Sequence, residues 1–505
     1  MILRDEDDVE DAMDFDAYEL DELTLRESMI RDVNQTAKVN FRLPYLVNSR
    51  QGGYLKIGAK VRFKQKVRDN QARVFNNYYQ EMRLYSQTGP ELNLNTVSGE
   101  FEERDLLGRG YELFRMVDPD TMRAFYEEHP QHFKYDEQDT WEDTYQEDYS
   151  ARENIYAGYA MVRHDINKLM LMGGVRYERT DLLYTAQDAW TDYSNGLLMK
   201  KLKSDERTKS FFLPQFQMKY ALDDRTNFRA ALTYSYSRPN FDDLIPYRRE
   251  NDAGDIDKGN PTLDYPYSMN IDLLAERYLS SNGIISGGFF YKQIDNFVFK
   301  YVRRAHEGEN FNLFGLREIT MAVNGIEAIV YGAEVQAQTK LSPLPGFLSN
   351  FGVYATYTFT ESDAYISKRY PQNEKDVIFG FDDYRSDFFT DSDETEVIPL
   401  PGQAKHTMNM ALFYETAKFY VKLSGNYHTE FLAELGNDSG LDVYYDRSLH
   451  MDFTASYKIT PNIQLFSDVI NLTNAPLRYY LGTREYFKQQ EYYSWWGRIG
   501  LKLNM

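Results

Sequence analysis

Alternation of apolar and polar side chains with period two runs through most of the chain. In Gln490 to Met505 the residues Tyr493, Trp495, Ile499, Leu501, Leu503 and Met505 fall on one face, and Ser494, Arg498, Lys502 and Asn504 on the other. A strand sends successive side chains to opposite faces, so this stretch reads as a strand with one apolar side. The same pattern recurs at 32–43, 53–67, 153–165, 169–184, 209–221, 226–238, 264–279 and 283–300, then within 318–341 and at 349–362, 402–415, 417–430, 444–459 and 463–478. With the terminal segment, that makes fifteen strands. Tight connections such as Asn167-Lys168, Asp223-Asp224 and Thr460-Pro461-Asn462 alternate with long ones near 68–152, 239–263 and 363–400. Short turns on one side and long loops on the other predict an all-β fold, a transmembrane antiparallel β-barrel.

Both ends of this series run in the same direction if every neighbour is antiparallel. A closed antiparallel barrel needs an even number of strands, so at least one more is expected. Residues 1–31 hold twelve acidic and three basic side chains without alternation and read as an acidic loop remnant, leaving 32–505 as a partial barrel domain. No run of eighteen apolar residues predicts a transmembrane helix. The start of the chain also lacks the charged and apolar regions of a signal peptide.

Composition narrows the function. Charge is strongly negative, 57 Lys and Arg against 78 Asp and Glu, which argues against a nucleic-acid partner. The 42 Tyr and 32 Phe suit aromatic girdles at the two membrane interfaces. Cysteine is absent, so disulfides and thiolate metal sites are excluded. No catalytic motif stands out, and the seven histidines show no metal-like spacing. The expected catalytic and metal residues are therefore none, although acidic loop runs such as Asp391 to Glu396 leave a structural calcium ion open. Asn471-Leu472-Thr473 is formally a glycosylation sequon within a barrel strand.

The polar face that holds Arg229, Glu334, Lys418, Lys422, Asp452 and Arg498 reads as lumen. Ligand contacts are expected from clustered aromatics of the longest loop, Tyr78, Tyr79, Tyr85, Trp141, Tyr145 and Tyr149. Such rings suit sugar faces or an aromatic chelate, and equally suit packing within the loop.

Four stretches carry a resemblance. YSYSRPNFDDLIPY (234–247) with GNPTLDYPYSMNIDL (259–273), NGIEAIVYGAEVQAQ (324–338), and the closing segment 468–503 resemble TonB-dependent outer-membrane receptors of the Bacteroidetes type. The resemblance implies a barrel of about twenty-two strands with an N-terminal plug. It implies a bacterial outer-membrane receptor that binds a scarce ligand (ferric siderophore, cofactor or glycan) and imports it with energy delivered by the TonB complex. On this reading the chain is the C-terminal barrel portion, without plug or TonB-contacting segment. Outer-membrane lipid, the barrel-assembly machinery and a surface lipoprotein are the further partners implied. The family commonly ends in an aromatic where this chain has Met505. Alternatives from other classes are a complete smaller barrel acting as a passive porin, and a barrel enzyme or adhesin.

Overall fold

The structure is a computed structural model. It describes Phe15, Tyr18 and residues 20–48, 51–76, 92–99, 103–106, 111–113, 116–192, 197–250, 255–279, 283–304, 318–369, 395–436 and 439–503. Fifteen strands form one continuous antiparallel ladder: β1 (Glu22–Asn48), β2 (Gln51–Asn76), β3 (Tyr149–Ile166), β4 (Leu169–Asp192), β5 (Leu197–Ala221), β6 (Thr226–Tyr236), β7 (Tyr267–Tyr278), β8 (Ile284–Asp295), β9 (Glu327–Lys340), β10 (Phe351–Ser367), β11 (His406–Glu415), β12 (Phe419–His428), β13 (Ser448–Thr460), β14 (Ile463–Ile470) and β15 (Trp496–Leu503). Among the described residues no ladder joins β1 to β15, so both lie at sheet edges.

The two faces are inverted relative to a water-soluble sheet. Phe212, Phe216, Leu273, Phe289, Val335, Leu412 and Ile499 point outward and are exposed, Phe289 by 69% and Ile499 by 75%. Their sequence neighbours Gln215, Glu334, Gln336, Arg498 and Lys502 point to the other side. So do Arg229, Lys422 and Asp452, whereas Lys418 sits in the turn before β12. An apolar outer face and a polar inner one is the arrangement of a sheet solvated by lipid.

Aromatic girdles bound this face. At the turn end of β10, Phe351 packs on Phe347 and on Tyr414 at 5.0 Å. Eight residues further on, about 27 Å along the strand, Tyr357 and Phe359 surround His406, whose Nδ1 lies 2.9 Å from the Tyr357 hydroxyl.

Several boundaries differ from the sequence expectation. Strand β1 starts at Glu22, ten residues inside the expected acidic loop, because its outer end lies beyond the apolar band and is held by its ladder with β2. The expected strand 283–300 is two elements, broken at Asn296, which takes a left-handed φ of 56°. The expected strand 463–478 breaks likewise at Asn471 with φ 58°. Asparagine tolerates this conformation better than most residues. In the terminal segment only Ile499, Leu501 and Leu503 of the expected apolar set lie in β15. Tyr493 and Trp495 precede it, separated by Ser494 at φ 59°, and Met505 lies outside the described residues.

The long connections contain structure of their own and cover the outer end. The β6–β7 connection folds inward: Leu244, Ile245, Leu263 and Tyr265 pack on the lumen faces of β3 and β4 at Ala151, Leu182, Tyr184 and Ala186. Strands Val298–Arg304, Glu318–Asn324 and Thr395–Ile398 form a second buried cluster with Leu432 and Leu435 over β9 and β10.

Candidate functional site

The outer mouth beside β1 and β2 is organised by the helix α1 (Glu137–Tyr145). It starts with Asp136, whose carboxylate accepts from the Asp139 backbone N–H, and carries Glu137 and Asp139 in its first turn. Both features favour a helix start. Strand β3 begins only at Tyr149, so beyond Arg68 the edge of β2 has a strand neighbour on that side only at Val74–Asn76, which pair with the short strand Lys134–Asp136. Helix α1 and the residues after it fill the gap. The backbone N–H groups of Asn70, Ala72 and Val74 donate to Asp148 Oδ1, Thr144 Oγ1 and Thr140 Oγ1 at 2.8, 3.2 and 2.8 Å.

The opposite face of α1 borders a cavity of about 410 Å³. Its other walls are Arg26 of β1, Thr320, and a hairpin formed by Arg248–Glu250 and Ile256–Lys258. Glu147 is the hub: it accepts from Arg249 Nη1 at 2.9 Å, from Asn70 Nδ2 at 3.2 Å, and from Arg68. Arg249 also donates to Asp257 at 2.9 Å and to the Tyr247 hydroxyl at 3.1 Å. Arg26 is paired with Asp143. Burial works to raise the Glu147 pKa, but the Arg249 hydrogen bond and the charges of Arg68, Arg249 and Arg26 outweigh it and hold the carboxyl below its ordinary value. Burial pushes the Tyr247 hydroxyl up to about 12, so it stays a neutral donor. A rim of fixed charges around an open cavity suits a polar ligand with several hydroxyl, amine or carboxylate groups.

The expected aromatic contacts separate. Trp141 and Tyr145 stand one helical turn apart on α1, edge to face at 5.6 Å, with Lys200 of β5 3.9 Å from the Tyr145 ring centre. They flank the cavity helix. Tyr149 is instead buried in the inward apolar cluster, a packing position rather than a loop contact. Tyr78, Tyr79 and Tyr85 lie outside the described residues. Arg26, Glu147, Arg249 and Asp257 were not singled out from sequence. They come from four separate segments, and only the short hairpin at 248–258 brings two of them together.

Below the mouth a buried chain of ions crosses the lumen wall. Arg238 bridges Glu153, at 3.1 Å, and Glu178; Arg62 and Arg176 complete it. A second charged clamp ties the outer connections. The Arg369 side chain, 2% exposed, donates to Glu396 at 2.6 Å, to Asp442 at 2.5 Å and to the Gly436 carbonyl at 2.9 Å. Glu396, part of the acidic run considered for calcium, is thus engaged by arginine; Asp391 and Asp393 lie outside the described residues. Among the described residues no group of three or more His, Asp or Glu is placed to hold a metal ion.

The family model described as TonB dependent receptor-like, beta-barrel, matches residues 7–472. No curated protein sequence matches the chain. Among solved structures the fold is similar to the ferric-catecholate import receptor Fiu from K12 E. coli in its closed form, with TM-score 0.55 and 12% identity over 94% of this chain and 55% of that one. It is also similar to the ferric citrate transporter FecA in its unliganded form (TM-score 0.52, 12% identity, 95% and 55% covered). The siderophore receptor PiuA from Acinetobacter baumannii gives TM-score 0.53 and 10% identity, with 94% and 56% covered. The chain therefore spans about half the length of the solved chains it matches.

Proposed function

The chain belongs to the TonB-dependent receptor β-barrel family, whose members are outer-membrane transporters rather than enzymes, and from that premise we propose that it forms the C-terminal part of an active importer's barrel. The observation that carries this reading is the fifteen-strand sheet with an apolar outer face and a lumen partly filled by its own connections. Further strands, odd in number, complete the ring: β1 and β15 run the same way, and unpaired edge groups facing lipid cost several kcal/mol each. A plug in the lumen couples the barrel to the TonB complex. The ligand is a scarce solute captured at the outer mouth, with the α1 cavity as its first contact.

Ferric siderophore, cofactor and glycan are the ligand classes to assay. Ferric siderophores come first because the neighbours named above carry ferric chelates or siderophores in their names. Two further elements of the proposal are a surface lipoprotein cap and calcium in the acidic connections; co-purification and chelator treatment test them. The passive-porin reading is disfavoured by the inward-folded β6–β7 connection, which obstructs the outer end.

The test is uptake in cells that carry or lack the protein, with panels of ferric siderophores, cobalamin-type cofactors and oligosaccharides. Accumulation of one class that stops when TonB is disrupted supports the proposal. Accumulation that is passive and unsaturable overturns it.

A further inference from the structure

The cavity beside α1 carries an excess of negative charge on its walls. Glu142, Asp143 and Glu147 enter it from α1 and the residues just after it, and Asp255 and Asp257 from the hairpin side. Among the described residues Arg26 and Arg249 are the bases on these walls. All five carboxylates belong to segments anchored on described strands. Thr140, Thr144 and Asp148 bond the first segment to the β2 backbone. The hairpin pairs in parallel with β4 at Arg248 and with the strand Glu318–Asn324 at Ile256–Lys258. Arg26 alone comes from the edge strand β1.

Both lining guanidiniums are already engaged within the chain. Arg26 is paired with Asp143, and Arg249 with Glu147 and Asp257 at 2.9 Å each. Arg68 is likewise held by Glu147. An anionic solute must displace a carboxylate from one of these pairs and then sit beside it. A cationic group displaces nothing. An ionised carboxylate offers about four lone-pair sites, and Asp257 receives the Tyr247 hydroxyl on Oδ1 and Arg249 on Oδ2, so each oxygen can accept again.

The carboxylates are spread over two facing walls. Among the described residues no three of them are placed to hold a metal ion. Charges distributed around an open cavity of about 410 Å³ match charges distributed over an organic solute, and walls of one dominant sign concentrate solutes of the other. We propose that this cavity selects a solute bearing at least two protonated amines, one toward α1 and one toward the hairpin, and discriminates against polyanions. This rests on the reading of the cavity as the ligand's first contact, and it narrows the ligand classes to their cationic members.

The protein is extracted natively from outer membranes in detergent and titrated by calorimetry with three sugars of one size: a glucosamine trisaccharide with free amines, its N-acetylated form, and a glucuronate trisaccharide. The expected result is saturable binding of the amine form, about tenfold tighter than either of the others and weakened when salt is raised. Thr320 lines the same cavity, and a charge placed there separates the sign of the field from damage to the fold. T320E should tighten the amine form about threefold and T320K weaken it about threefold. No binding of the amine form, equal binding of its N-acetylated form, tighter binding of glucuronate, or a shift of the same sign in T320E and T320K overturns the proposal. Glucuronate binding that T320K strengthens would reverse the ligand class while keeping the cavity as the contact site. Uptake by cells is not part of this readout, so failure here leaves the importer reading standing.

Discussion

Thr140 supplies the acceptor for Val74 at the margin of the short strand Lys134–Asp136: its Oγ1 accepts the Val74 backbone N–H at 2.8 Å, and both residues are buried. Thr144 and Asp148 repeat the contact at Ala72 and Asn70. Four residues of helix rise about 6.0 Å, and two residues of strand about 6.7 Å, so acceptors spaced by four keep step with amides spaced by two. Helix α1, with the short strand Lys134–Asp136 before it, thereby covers the edge that β3 leaves open.

Replacing Thr140 with valine keeps the shape and removes the acceptor. A buried N–H left unsatisfied costs about 1–3 kcal/mol. In T140V the Val74 amide should lose roughly ten- to a hundredfold of its hydrogen-exchange protection, while T140S keeps it. Equal protection in T140V and the parent would show that the helix does not hold this edge.

Val335 and Gln336 are neighbours on β9 that face opposite ways, one exposed on the apolar side and one lining the lumen. An arginine facing lipid costs about 2–4 kcal/mol at mid-membrane and less toward an interface; Val335 stands opposite Tyr357 of the outer girdle, so the cost there lies below that range. V335R should lower the yield of heat-modifiable barrel on unheated gels, whereas Q336R should assemble as the parent does. The reverse order would mean that the faces are assigned wrongly.

Arg369 holds Glu396 and Asp442 at once. Truncating it to methionine leaves both carboxylates uncompensated, a local loss of about 3–5 kcal/mol. Proteolysis of the outer connections should accelerate in R369M while the membrane-embedded strands stay protected.

The same clamp gives a pH dependence. Burial alone raises the Glu396 pKa, but the hydrogen bond and charge of Arg369 outweigh it, so the folded value lies below the unfolded one. The resulting stability is fully present above the unfolded carboxyl pKa and is lost as pH falls through the folded value. Exchange protection at 431–445, corrected for intrinsic rates, should hold from pH 7 to 5 and drop below about pH 4. A drop already complete at pH 6 would point to a different group.

Asn471 was noticed in the sequence as part of a sequon, yet both ends of its amide have structural work. Its Nδ2 donates to the Ser494 carbonyl at 2.9 Å and its Oδ1 accepts from the Ala475 N–H at 2.9 Å. It thus ties the end of β14 to the residues just before β15. N471A should slow barrel assembly, with a larger fraction left unfolded after a pulse of synthesis. Unchanged assembly kinetics would remove this role.

The period-two pattern revealed the fifteen barrel strands because lipid on one side and lumen on the other impose strict alternation on each. Turns such as Asn167-Lys168 were legible from their residue types, and Asn167 takes φ 52°. Breaks at Asn296 and Asn471 were hidden because the next segment resumes alternation in the same phase, and only the backbone dihedral changes. The outer end of β1 was hidden for another reason. Above the apolar band Leu23 and Leu25 pack against a buried cluster of Phe75, Leu92, Val97 and Met122, partners distant in the sequence, so Glu22 to Arg31 shows no extended alternation. The cavity was invisible to local patterning, since α1 is placed by contacts between Thr140 and Val74, 66 residues apart. Tyr149 groups by sequence with the loop aromatics, suited to ligand contact or to packing within the loop, whereas it starts a strand that lies under the inward-folded connection.

The central claim is that this sheet is part of a larger ring closed by an odd number of additional antiparallel strands. The chain has no cysteine, so disulfide mapping in native outer membranes starts from a clean background. Cysteines are placed pairwise at the outward edge positions Val39, Phe41 and Leu43 of β1 with Ile499 and Leu501 of β15, and at Leu465 with Leu501 as the internal standard, a directly opposed pair. The account expects the Leu465–Leu501 pair to cross-link and every β1–β15 pair to stay reduced. Efficient cross-linking between β1 and β15 would show that the fifteen strands close on themselves, and the larger barrel would fall.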